Sequence, residues 1–120
     1  MGKRILIVDD AMFMRKLMSD ILQKAGYDVV AEAGNGEEAF AKYKEFMPDL
    51  VTMDITMPDV NGIDGVRMIT SAFPDAKVLM CSAMGQEGMV IDSVKAGAKG
   101  FIVKPFVAEK VIAEVQKLIG

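Results

Sequence analysis

Short apolar runs recur along the chain at Arg4 to Val8, Val29 to Ala33, Leu50 to Met53, Val78 to Cys81 and Phe101 to Val103. Each is continuous rather than alternating, the pattern of a strand buried on both faces. Between them the apolar positions take a helical period. Met14, Leu17, Met18, Ile21, Leu22 and Ala25 form one stripe that stops at Gly26, and Ala108, Val111, Ile112, Val115, Leu118 and Ile119 form another. Asn35 can cap a further helix whose first turn carries Glu37 and Glu38, matching the positive end of the helix dipole, and Pro48 closes it. Gly62 to Ala72 and Gln86 to Lys95 complete the helical segments, the second ending at Gly97. Strand and helix alternate throughout, with crossovers long enough for parallel pairing. The expected fold is α/β, an open, doubly wound, five-stranded parallel sheet. Ligands of such sheets sit outside the carboxyl ends of the strands.

That edge is where the polar residues fall. Asp9 and Asp10 follow the first run, Asp54 the third, Ser82 the fourth and Lys104 the fifth. A parallel sheet gathers these strand ends into one cleft. Crowded carboxylates repel one another unless a cation sits among them. Mg²⁺, or Mn²⁺ in its place, is the economical answer, being hard, oxygen-liganded and able to keep waters for an incoming phosphate. The bland reading of each residue alone is a helix cap or a solvated loop position; all of them at one sheet edge is harder to assign to chance. Asp54 can attack phosphorus as a carboxylate nucleophile and form an acyl phosphate. The metal and Lys104 would neutralise phosphoryl oxygens, and the Ser82 hydroxyl would bond another.

Composition narrows the chemistry. The chain has 120 residues, 52% of them hydrophobic and 26% charged, the profile of one globular domain spanning 1–120. Neither a secretory segment nor a lipidation signal is evident, so neither export nor membrane attachment is expected. A single cysteine fits a cytoplasmic location, and a net charge of -3 with dispersed lysines argues against nucleic-acid binding. Histidine is absent, which removes His-based zinc sites, Ser-His-Asp triads and a phosphohistidine on this chain.

The strings Ile5-Leu6-Ile7-Val8-Asp9-Asp10, Met53-Asp54-Ile55-Thr56-Met57-Pro58 with Gly62 beyond, Cys81-Ser82-Ala83 and Lys104-Pro105-Phe106 resemble the receiver domain of bacterial response regulators. The resemblance covers the whole chain. Asp9 to Arg15 and Cys81 to Gln86 are most similar to the stand-alone chemotaxis receivers. The resemblance implies a flavodoxin-like (βα)₅ fold with strand order 2-1-3-4-5. It further implies a metal held by Asp9, Asp10, Asp54 and the backbone carbonyl of Thr56, with Asp54 as phosphoacceptor and Lys104 and Ser82 as its catalytic partners. Ala83 would keep the phosphoryl oxygen accessible, Lys104-Pro105 would be a cis peptide, and Ser82 and Phe101 would be the switch pair. Thr56 and Met84 would flank the water that ends the phosphorylated state. Since Met84 offers no polar group, self-dephosphorylation should be slow. Gly65 and Gly100 stand where bulkier residues are common, which predicts local looseness.

The implied function is a phosphorylation-activated switch rather than an enzyme with turnover, beyond its own phosphorylation and dephosphorylation. It would act as a monomer through contacts of its last two helices and fifth strand. The implied partners are a chemotaxis histidine kinase, a flagellar motor switch protein and a phosphatase. Alternatives are a receiver in a non-chemotaxis phosphorelay and an aspartate-nucleophile phosphatase of the haloacid dehalogenase kind, whose signature Asp two residues after the nucleophile is here Thr56. Gly34-Asn35-Gly36-Glu37-Glu38-Ala39 imitates a dinucleotide fingerprint, but Glu37 and Glu38 would repel a pyrophosphate. A flavodoxin-type FMN site would place its phosphate loop on Asp9 and Asp10.

Overall fold

In the computed structural model, which describes residues 2–57 and 61–120, strands and helices alternate along the chain. They are β1 (Arg4–Val8), α1 (Met12–Lys24), β2 (Asp28–Ala33), α2 (Gly36–Phe46), β3 (Leu50–Asp54), α3 (Gly62–Ala72), β4 (Val78–Ser82), α4 (Glu87–Lys95), β5 (Gly100–Val103) and α5 (Ala108–Ile119). All pairings are parallel, in the order β2-β1-β3-β4-β5. The expected fold and strand order are both present. Pro58 of the Met57-Pro58 string lies outside the described residues.

The continuous apolar runs are explained by burial on both sides. In β1, Leu6 and Val8 pack with Ala39, Tyr43, Val66 and Ile69, so α2 and α3 cover one face. Ile5 and Ile7 pack with Met18, Leu22, Val111 and Val115, so α1 and α5 cover the other. β3 and β4 divide in the same way: Val51, Met53, Val78 and Met80 face α2 and α3, whereas Leu50, Leu79 and Cys81 face α1 and α5.

The helix ends follow local chemistry. Asn35 accepts a hydrogen bond from the Glu38 amide at 2.8 Å, and Glu38 Oε1 accepts one from the Gly34 amide at 2.9 Å. Two amides of the imitation dinucleotide loop, those of Gly34 and Glu38, are thus held by this chain's own side chains. Asn61 caps α3 by accepting from the Asp64 amide. α2 closes just before Pro48, as expected: Met47, its C-cap, takes a left-handed conformation (φ 44°) and its amide bonds the Tyr43 carbonyl. Gly65 is a packing position rather than a loose one, because a Cβ there would come 3.1 Å from Gly36 Cα and 3.2 Å from Met53 Cε. Gly100 is similarly tight, with Leu79 Cδ1 3.3 Å from where a Cβ would sit.

Candidate functional site

Strand alternation decides which side chains meet at the carboxyl edge. Asp54 is the last residue of β3 and shares the face of Leu50; Asp9 and Lys104 continue the faces of Ile7 and Ile102. These three therefore converge on the α1 and α5 side. Lys104 Nζ lies 3.1 Å from Asp54 Oδ1 and 3.3 Å from Asp9 Oδ2. Asp9 and Asp54 are buried, at 5% and 6% exposure, and Asp10 is exposed. One oxygen from each of Asp9, Asp10 and Asp54 falls within 4.8 Å of the others. Lys104-Pro105 is a cis peptide.

Local bonds fix the acidic side chains. Asp9 Oδ1 accepts from the Ala11 amide at 2.9 Å, which holds the chain as it turns into α1. Arg15, one turn into α1, donates to the Asp9 carbonyl at 2.6 Å and pairs with Glu32 at 3.0 Å. Arg15 thereby braces the loop that carries both aspartates. Gly62 lets α3 approach β3: its amide bonds the Ile55 carbonyl at 2.8 Å, and a Cβ would strike the Asp54 carbonyl oxygen.

The electrostatics are unbalanced towards the negative. Burial, followed by the neighbouring Asp9 charge, raises the Asp54 pKa above the usual carboxylate range, against the pull of Lys104. Burial alone would lower the Lys104 pKa, but the charges and hydrogen bonds of Asp54 and Asp9 outweigh it and hold the ammonium above its ordinary value. Among these residues a single ammonium faces three carboxylates. The donor set is oxygen only, compact and anionic, which fits a hard divalent cation such as Mg²⁺.

Ser82 is placed differently from the expectation of a single shared cleft. It lies at the end of β4, 2% exposed, and β4 alternation sends it to the face of Val78 and Met80, opposite Asp54. Its side chain makes no hydrogen bond to Asp54 or Lys104, although the Lys104 amide bonds the Ser82 carbonyl at 2.7 Å. Ser82 instead lines a groove of about 510 Å³ with Val90, Ile91 and Phe101. Phe101 is 46% exposed there and Met84, on the same groove, 81% exposed. Thr56 is exposed beyond Asp54, and its hydroxyl accepts from Gln86 Nε2 at 2.8 Å. Arg15 and Gln86 are the residues that periodicity and spacing did not single out. The only signal for Arg15 is its position on the first turns of the helix that follows Asp10.

Residues 5–116 match the family described as the response regulator receiver domain. The chain belongs to this family. Receiver proteins of high similarity include the chemotaxis protein CheY of Thermotoga maritima, 59% identical over 118 residues and 98% of both chains, and that of Bacillus subtilis, 57% identical over 120 residues and all of both chains. Among solved receiver structures, the Borrelia burgdorferi CheX-CheY complex with BeF₃ and Mg²⁺ superposes with a TM-score of 0.93. It is 40% identical, and the alignment covers 98% of this chain and 90% of that one. Among the described residues no helix is long and apolar enough to cross a membrane.

Proposed function

We propose that this receiver is the phosphorylation-activated switch of a chemotaxis two-component system, with Asp54 as its phosphoacceptor. The observation that carries this is the buried Asp54 carboxylate held 3.1 Å from Lys104 and grouped with Asp9 and Asp10 at the carboxyl edge of the sheet. An Asp54 carboxylate oxygen attacks the phosphorus of a kinase phosphohistidine, the P–N bond breaks, and the imidazole leaves with its electron pair and takes a proton. The product is an acyl phosphate on Asp54. Lys104, already directed at Asp54, stabilises charge on the phosphoryl oxygens, and Arg15 keeps the aspartate loop in place. Mg²⁺ held by Asp9, Asp10, Asp54 and the Thr56 carbonyl supplies further charge neutralisation when bound.

Ser82 then reports the new charge across the sheet edge. Its movement towards the phosphoryl group empties space in the groove, and Phe101 turns inward to fill it. The remodelled face of α4, β5 and α5 engages a flagellar motor switch protein; the phosphoryl donor is a chemotaxis histidine kinase. The CheX bound to the Borrelia relative supports a phosphatase as a third partner. The protein acts as a monomer in the cytoplasm, consistent with its single, buried, unpaired Cys81. Met84 puts no polar group beside the phosphoryl site, so the acyl phosphate is long-lived. Met84→Glu should change the decay rate; an unchanged lifetime would refute that role.

The test is labelling with acetyl phosphate in Mg²⁺. Wild type should take up one phosphoryl group per chain and Asp54→Asn none. Sustained turnover of a phosphomonoester, or full labelling of the variant, would overturn the reading.

A further inference from the structure

The peptide unit joining Ser82 to Ala83 is held at both ends. Its carbonyl accepts from the Lys104 amide at 2.7 Å, and its N–H donates to Gln86 Oε1 at 2.7 Å. Gln86 Nε2 meanwhile donates to Thr56 Oγ1 at 2.8 Å, thirty residues away in sequence. Gln86 precedes α4 as its N-cap residue, yet its side chain makes no capping bond to the helix backbone and touches the helix through Nε2 and Met89 Sδ, 3.8 Å apart. The side chain folds back and ties the loop after β4 to the loop after β3. Register explains the fit: Asp54 pairs with Cys81, so Thr56 and Ala83 each lie two residues beyond that pair, just past the ends of neighbouring strands.

We infer that Gln86 is a latch on phosphoryl uptake, its carboxamide oxygen holding the Ala83 amide that a phosphoryl oxygen on Asp54 must claim. This rests on the receiver reading of Asp54. Three carboxylates and one ammonium leave the cleft short of hydrogen-bond donors for an added dianion. The Ala83 N–H is a fixed neutral donor at the same edge, and it becomes available only when Gln86 lets go. Because one carboxamide makes both bonds, losing the Ala83 contact frees it to leave Thr56 too, and the two loops uncouple together. Gln86 is thus a positioning residue that sets how much driving force phosphorylation must supply.

The net worth of one such hydrogen bond corresponds to about a five- to tenfold change in an equilibrium constant. Beryllofluoride binding in Mg²⁺, followed by amide NMR, should therefore tighten about five- to tenfold in Gln86→Ala, and likewise in Gln86→Met, which keeps the stem but neither bond. In metal-free protein the Ala83 amide should exchange its hydrogen about five- to tenfold faster in both variants. Thr56→Val should tighten binding by a smaller factor in wild type and add nothing in the Gln86→Ala background. Unchanged or weaker binding in both Gln86 variants overturns the latch, as does a Thr56→Val gain that persists without Gln86. Those failures differ from failure of the receiver reading, in which Asp54→Asn would retain the beryllofluoride-induced shifts of wild type.

Discussion

Replacing Asp54 with Asn should make the metal-free protein more stable, although it removes an ion pair. At an effective dielectric of about 20, Lys104 at 3.1 Å stabilises the Asp54 carboxylate by roughly 5 kcal/mol. Asp9, with an oxygen within 4.8 Å, opposes it by roughly 3.5 kcal/mol, and the more exposed Asp10 opposes it by somewhat less. Burial adds a further cost to the charged form, consistent with the raised pKa of Asp54. The balance favours the neutral amide by about 1 to 2 kcal/mol, or a Tm higher by roughly 4 to 8 °C. Because the folded pKa of Asp54 lies above its unfolded value, the cost is fully present above the folded pKa, declines as pH falls through it and is gone below the unfolded value. The gap between variant and wild type should therefore close as pH falls. Added Mg²⁺ should reverse the order, since wild type gains binding free energy that the variant loses. Calorimetry in EDTA and in Mg²⁺, at neutral and acidic pH, reads all three. A variant no more stable than wild type in EDTA, or equal stabilisation of both by Mg²⁺, refutes the charge balance.

Gly62→Ala should destabilise the fold by about 2 to 4 kcal/mol in chemical denaturation, because the added methyl meets the rigid backbone of Asp54 and Ile55. Met47→Gly should stabilise it by about 0.5 to 1 kcal/mol, since glycine adopts the left-handed φ of 44° without the penalty methionine bears there. Burial, then the charge of Asp54, raises the Cys81 pKa far above that of a free thiol. Iodoacetamide should therefore label native protein negligibly between pH 6 and pH 9, and label it fully once unfolded, as mass spectrometry would show.

The sheet was legible because parallel strands buried on both faces leave continuous apolar runs, and because amphipathic helices such as α1 and α5 leave stripes. The carboxyl-edge residues were legible for a related reason: Asp9, Asp54 and Lys104 interrupt apolar runs at the same end. Which face each residue takes was set by alternation within the strands, and that separated Ser82 from Asp54. Gln86 escaped because its side chain reaches Thr56 in the loop after β3, a tertiary contact with no periodic trace. The close packing at Gly65 depends on Gly36 of another helix, so the sequence alone reads it as missing bulk. Met47 escaped for the opposite reason, since a left-handed residue is expected to be glycine or asparagine.

Alternation also separates the carboxylate cluster from the groove. Asp9, Asp54 and Lys104 lie on the α1 and α5 face, whereas Ser82 and the groove that holds Phe101 lie towards α4. The side chains packed on the face of Asp54 do not line that groove. The two faces meet at the sheet edge, where the Ser82 carbonyl is bonded to the Lys104 amide and the Ala83 amide to Gln86. The Lys104 contact joins that peptide unit to the carboxylate cluster, and the Gln86 contact joins it to the loop after β3. On the latch proposed above, phosphorylation would strengthen the demand on the first side and compete for the donor on the second, so that one peptide unit would convert a local charge into a change of surface. A bistable element of this kind needs only a modest difference in hydrogen bonding to shift its populations.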